Sequence, residues 1–586
     1  MKNEENSLFV RLRNSSIIIW LLGLILLLLY ARNITDIVTV WEIGDEAGYL
    51  SNAAFLAGEN WNSTRAVLPY YGYGYSLLLI PFFWICSNGV EIIRCAIGVN
   101  IVCIIASYFI QVWLMSRIIK NSTKNVIAVI AFLVNLYPYI VSSSMKVICE
   151  VFLTFQYWLI GFLLYRALQS NARKNFMILG MASAFIFFIH TRGIIVIAAI
   201  FLVVLLGVIK HKIDWEKALY FCVLFFVLFI FGYILKKYII ASAYENVVLG
   251  RDYEALKSVN MISSQYIKDR LEWLLNLKNL KLYLQVAAGK VFYLLSGTGL
   301  MIMLGMIEIV KRIIAARERT TEEWACNVYF FLAFLCMFGV TCVNGTGMRN
   351  SYGSFFYGRY YEYTIGAIIF LGIYACIQGD VAEKMILLVV IIGILLGIST
   401  LGMEQYWDST RAYVDTARIS AFSLYTAKNP EYHELIKEWM LLLSVVGFGL
   451  IFAKRNQYRM FITTFIILIL FALNDKECIA KIKEVNQVHE MEVIMAQYIS
   501  NEGDDKNLFF VEGIYKGSTC YFSVMQALVK DKPLILIGEE EAMNIEEDAY
   551  LMCYHGADNF EEMNQKYEYI MGNHVFELFK TAKGDR

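Results

Sequence analysis

The sequence predicts a polytopic α-helical membrane protein with about thirteen spans and a small α/β domain following them. Three observations carry this expectation. Hydrophobic residues make up 58% of the 586 and charged residues 17%, whereas a soluble chain is nearer roughly 45–50% apolar. The connections between the apolar runs alternate between basic and non-basic, the pattern of a chain threaded repeatedly through a bilayer. From residue 475 onward the chain turns polar and shows short β-rich runs between helical ones. A net charge of zero gives no reason to expect nucleic acid as a partner.

Crossing a hydrocarbon layer of about 30 Å takes roughly 20 apolar residues. The first run, Ser16 to Tyr30, follows Arg11 and Arg13 and has no small-residue cleavage site behind it. It therefore reads as an uncleaved signal anchor whose N-terminus stays inside. Further runs lie near 91–116, 126–144, 147–166, 175–190, 193–209, 217–235, 286–310, 324–343, 360–378, 384–402, 436–453 and 459–474. Arg117, Lys120 and Lys124 follow the second run, and Arg166, Arg173 and Lys174 the fourth. Lys210, Lys212 and Lys217 follow the sixth, and Lys311, Arg312, Arg317 and Arg319 the eighth. Lys384 follows the tenth, and Lys454, Arg455 and Arg459 the twelfth. Every second connection is cytoplasmic by this rule, which places the site-bearing loops and the C-terminal region outside a cell membrane.

In that register Tyr70 to Ser87 cannot cross, and its Tyr- and Trp-rich pattern suits the outer interface. Residues 1–474 are then a membrane domain whose first outer loop is 31–90, and 475–586 an extracytoplasmic α/β domain. There a helix is expected over Val488 to Tyr498, and strands at Leu508–Val511, Leu534–Gly538 and Tyr567–Met571. The twelve cysteines show no metal or redox spacing. Cys520 and Cys553, both in the polar region, are the one candidate disulfide.

The chemistry concentrates on the outer side. Asp45 and Glu46 follow the first span, ahead of a short helical pattern. Two readings are open: a cap on an interfacial helix, or a general base that takes the proton of an acceptor hydroxyl, with Glu46 orienting the acceptor or a metal. Arg359, in Phe356-Tyr357-Gly358-Arg359-Tyr360-Tyr361, is either a snorkelling helix-end residue or a cation for a departing phosphate. His190-Thr191-Arg192-Gly193 interrupts two apolar runs at the same level, so His190 and Arg192 are candidate phosphate contacts or members of a capped turn. Glu150 stands about a turn inside an apolar run with Lys146 four residues earlier, an expected ion pair. Arg349 is a candidate acceptor contact.

An Asp-Glu pair with Tyr49 three residues on, followed by the aromatic, Gly-rich, Leu-rich segment Tyr70-Tyr71-Gly72-Tyr73-Gly74-Tyr75-Ser76-Leu77-Leu78-Leu79, resembles the membrane glycosyltransferases of the GT-C superfold. The branch it is similar to holds the protein mannosyltransferases and aminoarabinose transferases. The resemblance implies a polyprenyl-phosphate-linked sugar donor, a glycan, lipid or protein acceptor, and Asp45 as catalytic base. It further implies Tyr49, Tyr71 and Tyr73 as substrate contacts, Arg359, Arg192, His190 and Lys146 around the donor phosphate, and Glu150 as a second acidic position holding a divalent metal or the phosphate. Related enzymes often carry Lys/His-Pro-Pro before the interfacial helix. Here the place reads Leu68-Pro69-Tyr70-Tyr71-Gly72, which removes one expected cation. The rival reading is a polytopic transporter or flippase, against which stand the crowding of polar residues on one face and the lack of an internal repeat.

Overall fold

A backbone surrounded by hydrocarbon must satisfy its own hydrogen bonds, so the apolar runs fold as helices. The computed structural model describes residues 16–41, 43–243, 268–269, 272–273, 275–315, 319–345, 353–502, 506–511, 518–555, 560–572 and 576–581. The described residues open with α1 (Ile17–Ala31), a largely buried α2 (Ile43–Ala57) and three short helices at Asn62–Val67, Tyr73–Ser76 and Ile80–Ile85. Next come α3 (Gly89–Ile118), α4 (Lys124–Val134), α5 (Pro138–Ser144), α6 (Glu150–Ser170), α7 (Arg173–Ile189), α8 (Gly193–Ile209) and α9 (Trp215–Ala243). The bundle closes with α10 (Leu277–Gly297), α11 (Met301–Ile314), α12 (Thr321–Gly345), α13 (Gly366–Gln378), α14 (Glu383–Thr400), α15 (Tyr432–Arg455) and α16 (Arg459–Val488).

Every expected apolar run falls on one of these helices or on a bent pair. Among the described residues seven helices are long and apolar enough to cross a membrane, or nine if each bent pair is one span. The other runs are shorter or carry more charge, as in α8 with 17 residues and α13 with 13. The 70–87 segment holds helices of only 4 and 6 residues, too short to cross.

Both bends have local causes. Pro138 at the first position of α5 has no N–H to continue α4, and the two axes meet at 61°. Between α10 and α11 the backbone passes through the left-handed region at Gly299 (φ 58°) and again at Leu300 (φ 71°), which no helix can contain, and the axes meet at 100°.

Beyond the bundle, α16 runs unbroken through residue 475 to Val488 and is followed by α17 (Glu490–Asn501). A five-stranded sheet follows, with β1 (Asn507–Val511), β2 (Leu534–Ile537), β3 (Ala549–Tyr554), β4 (Glu568–Gly572) and β5 (Phe576–Thr581) in the order β2-β1-β3-β5-β4. β1 is parallel to β2 and β3, whereas β5 runs antiparallel to β3 and β4. The sheet contains the three expected strands and two more. β3 has its first five residues buried, and a continuous apolar run of that length reads equally as buried helix or strand. Cys553, in β3, is a buried free thiol; the side chain of Cys520 lies outside the described residues.

The domain sits on the first loop through α18 (Ser518–Leu528). Trp61 Nε1 donates to the Lys530 carbonyl at 3.1 Å, Lys530 Nζ to the Cys86 carbonyl at 3.0 Å, and Thr64 Oγ1 to Gln526 Oε1 at 3.4 Å. The start of α3 touches it so closely that a Cβ on Gly89 would lie 2.0 Å from the Ala527 carbonyl.

Candidate active site

α2 begins where the chain leaves α1, and its first turn carries both acidic residues. Successive helical residues point about 100° apart, so the two carboxylates separate. Glu46 is 1% exposed and turns inward. Its Oε1 accepts from the Trp41 N–H at 2.6 Å and its Oε2 from the Val147 N–H at 2.7 Å. It thereby ties the helix start to the turn between α5 and α6. Asp45 keeps a side-chain exposure of 29%. Its Oδ1 accepts from the Tyr71 hydroxyl at 2.6 Å, and its Oδ2 accepts from Arg359 Nη2.

Glycines deliver Tyr71 to that spot. A Cβ on Gly48 would lie 2.0 Å from the Tyr71 ring, so α2 is bare where the ring crosses it. On the other flank a Cβ on Gly72 would meet the Ile189 carbonyl at 2.3 Å, and one on Gly74 the Ile189 nitrogen at 2.7 Å. The segment thus lies directly on the end of α7, just before His190. Burial, and after it the adjacent Asp45 carboxylate, pushes the Tyr71 hydroxyl well above its usual range, so it remains a donor.

Behind Asp45 lies a second carboxylate. Glu150, at the first position of α6, is 0% exposed, and one of its oxygens accepts from two guanidiniums: Arg359 Nε at 2.7 Å and Arg192 Nη2 at 3.0 Å. Arg359 therefore bridges Glu150 and Asp45. Arg192 Nη1 also donates to the Arg359 carbonyl at 3.4 Å, and its guanidinium lies 4.7 Å from the Tyr360 ring centroid. His190 sets the arginine's orientation, because its Nδ1 accepts from Arg192 N at 3.2 Å and Nε at 3.3 Å. Those bonds require an unprotonated Nδ1.

Asp45, Tyr71, Arg359, Glu150, Arg192 and His190 thus form one connected network, drawn from loops far apart in sequence but at the same end of the bundle. Other candidates stand elsewhere. Lys146 does not partner Glu150: its Nζ lies 3.9 Å from the Trp41 ring centroid and donates to the Ala417 carbonyl at 3.3 Å. Tyr49 is 1% exposed, donates to Cys149 Sγ at 2.8 Å and packs on the Tyr71 ring at 5.3 Å, so it supports that ring from behind. Tyr73 turns toward α9, donating to the Gly232 carbonyl at 3.0 Å and stacking on Phe188 at 5.4 Å. Arg349 lies outside the described residues.

A divalent metal at Glu150 does not fit this arrangement. The two guanidiniums already hold the place a cation would take, and among the described residues no three His, Cys, Asp or Glu side chains converge. Sequence reasoning missed the Tyr360 platform and Tyr357, whose hydroxyl lies 3.4 Å from Arg359 Nη1. The aromatic run around Arg359 was the available signal.

The bundle, with its polar cluster at one end and a small sheet domain above it, has the GT-C fold. It superposes on ArnT from Cupriavidus metallidurans bound to undecaprenyl phosphate with a TM-score of 0.55 over 97% of this chain and 98% of that one, at 11% identity. The same protein in its apo state gives a TM-score of 0.52 at 10% identity, over 97% and 98% of the two chains. No protein-family model matches the chain, and no curated protein sequence does.

Proposed function

We propose that this protein is a membrane glycosyltransferase that moves a sugar from a polyprenyl-phosphate carrier to an acceptor hydroxyl at the extracytoplasmic face, with inversion. The observation that carries the reading is the bridge Glu150–Arg359–Asp45. A partly exposed carboxylate and a buried guanidinium meet at one end of a GT-C bundle, and a protein of that fold is seen bound to undecaprenyl phosphate. Basic clusters at the opposite ends of the helices support the orientation.

In this mechanism Asp45 accepts the acceptor's hydroxyl proton while the acceptor oxygen bonds to the anomeric carbon. The carbon–oxygen bond to the carrier phosphate breaks through an oxocarbenium-like state, and the phosphate leaves with the electron pair. Glu150 holds Arg359 by Nε, so Nη2 can move from Asp45 to a phosphate oxygen without the guanidinium leaving its place. That exchange frees the base as the leaving group arrives. Arg192, steered by His190, is the second phosphate contact. Tyr71 keeps Asp45 aimed, and Glu46 is a positioning residue that fixes the first turn of α2.

The reading is tested by isolating the lipid-linked sugar that accumulates when the gene is deleted and supplying it to purified protein. Asp45→Asn should lower transfer by about 10²- to 10⁴-fold with the melting temperature little changed. Undiminished transfer by this variant would refute the base assignment, and failure of the wild type to transfer any lipid-linked sugar would refute the activity.

A further inference from the structure

The guanidiniums around Asp45 already face carboxylates, Arg359 facing Asp45 and Glu150 and Arg192 facing Glu150. A phosphate arriving there needs positive charge that is not so matched. Lys236 carries it. The helix α9 has two consecutive lysines near the end that meets the first loop, and they behave oppositely. Lys237 is exposed, the ordinary snorkelling position. Lys236 is 7% exposed, on the same buried face as Gly232, Ile239 and Ile240. Its Nζ lies 5.4 Å from the Tyr70 ring centroid and 5.2 Å from that of Phe187. Tyr70 adjoins Tyr71, the Asp45 partner, and Phe187 is one helical turn before His190. The ammonium therefore packs on the residues that neighbour Tyr71 and His190 in the chain, on the α9 face that also receives the Tyr73 hydroxyl. Among the described residues no carboxylate lies within ion-pair distance of it. Two ring faces soften the desolvation of a buried ammonium but supply no acceptor for its three donors.

Resting on the glycosyl-transfer reading, we infer that Lys236 is a binding residue for the phosphate of the polyprenyl carrier, reaching it across Tyr70 from α9. The same position explains why the first loop tolerates Tyr70-Tyr71-Gly72 where the resemblance leads one to expect a cation. The charge comes from a neighbouring helix, and the loop is left with the glycines it needs to lie on α7. A point charge on a flexible stem also suits a group whose charge grows as it departs.

The test is equilibrium binding of a polyprenyl phosphate to the purified full-length protein in nanodiscs, with the corresponding polyprenol and inorganic phosphate as separate arms. The wild type should bind the polyprenyl phosphate and bind the other two far more weakly, because both the lipid tail and the anion are needed. Lys236→Gln should weaken polyprenyl-phosphate binding at least about tenfold and leave the weak polyprenol binding unchanged, the loss expected from one charge-assisted contact. Lys236→Arg should retain binding within about threefold, and Lys237→Gln should match the wild type. Equal binding by the wild type and Lys236→Gln overturns this assignment while leaving the transferase reading standing. If Lys236→Gln fails to fold, Lys236→Arg decides: a folded variant that loses binding altogether overturns a role that any cation would fill. Absence of polyprenyl-phosphate binding by the wild type overturns both.

Discussion

Asp45 and Glu46 are adjacent in the chain and divided in surroundings by one helical step. Neither residue caps α2: Glu46 accepts the N–H groups of Trp41 and Val147, outside the helix, while Asp45 accepts from the Tyr71 hydroxyl and Arg359, and the general-base role is the one proposed for Asp45. Glu150 was legible as an intramembrane carboxylate in need of a partner, but the partner was not. A spacing of four residues brings side chains together only inside a helix, and α6 starts at Glu150 itself, leaving Lys146 on a turn that faces Trp41. The two arginines that answer Glu150 come from 42 and 209 residues away. Removing that carboxylate strands the Arg192 guanidinium and takes one partner from Arg359, which keeps Asp45. Glu150→Gln should therefore lower folding stability by about 3–5 kcal/mol, seen as a lower midpoint in thermal or denaturant unfolding in detergent. An unchanged midpoint would mean that the arginines find other partners at no loss.

Among the elements, the Tyr-Gly-Tyr-Gly segment shows how a composition signal becomes geometry. Its aromatic and glycine content was legible as an interfacial stretch; that the glycines serve as contact points for α7 was not, because the surface they touch is more than a hundred residues away. Gly72→Ala places a methyl 2.3 Å from the Ile189 carbonyl, a backbone atom with little room to retreat. Overpacking of this kind costs about 1–3 kcal/mol, and here it would also lift Tyr71 from Asp45. Transfer should fall at least about tenfold while Gly98→Ala, whose added carbon meets nothing within 4 Å, stays near wild type. Equal rates for the two variants would show that the fit of this segment on α7 is immaterial to catalysis. The sharp turn from α10 to α11 was hidden for a different reason: a non-glycine residue in the left-handed region leaves no compositional mark.

At the scale of the whole molecule, the sheet domain is a cover for the first loop rather than a separate body. Trp61 is 1% exposed because α18 and the Lys530 turn lie on it, and Gln526 spends its amide on the Thr64 hydroxyl, the Leu534 N–H and the carbonyls of Val529 and Lys532. The sequence placed both parts on one side but showed nothing of this contact, which joins residues more than 400 positions apart. Ending the chain after α16 should expose the loop. Limited proteolysis of that shortened protein should cut between residues 59 and 88, where the full-length chain resists, and transfer should fall with it. Equal resistance of both forms would remove the covering role.

The sequence by itself determined the apolar runs, their helical state, the side on which polar groups gather, and the candidacy of Asp45, Arg359, Arg192, His190 and Glu150, because these follow from solvation and charge, which act locally along the chain. Only the tertiary structure decided which of them touch, which acid stays more exposed, and that Lys236 packs on the rings of Tyr70 and Phe187. Contacts of that kind depend on the relative positions of helices distant in sequence, and no local preference encodes them.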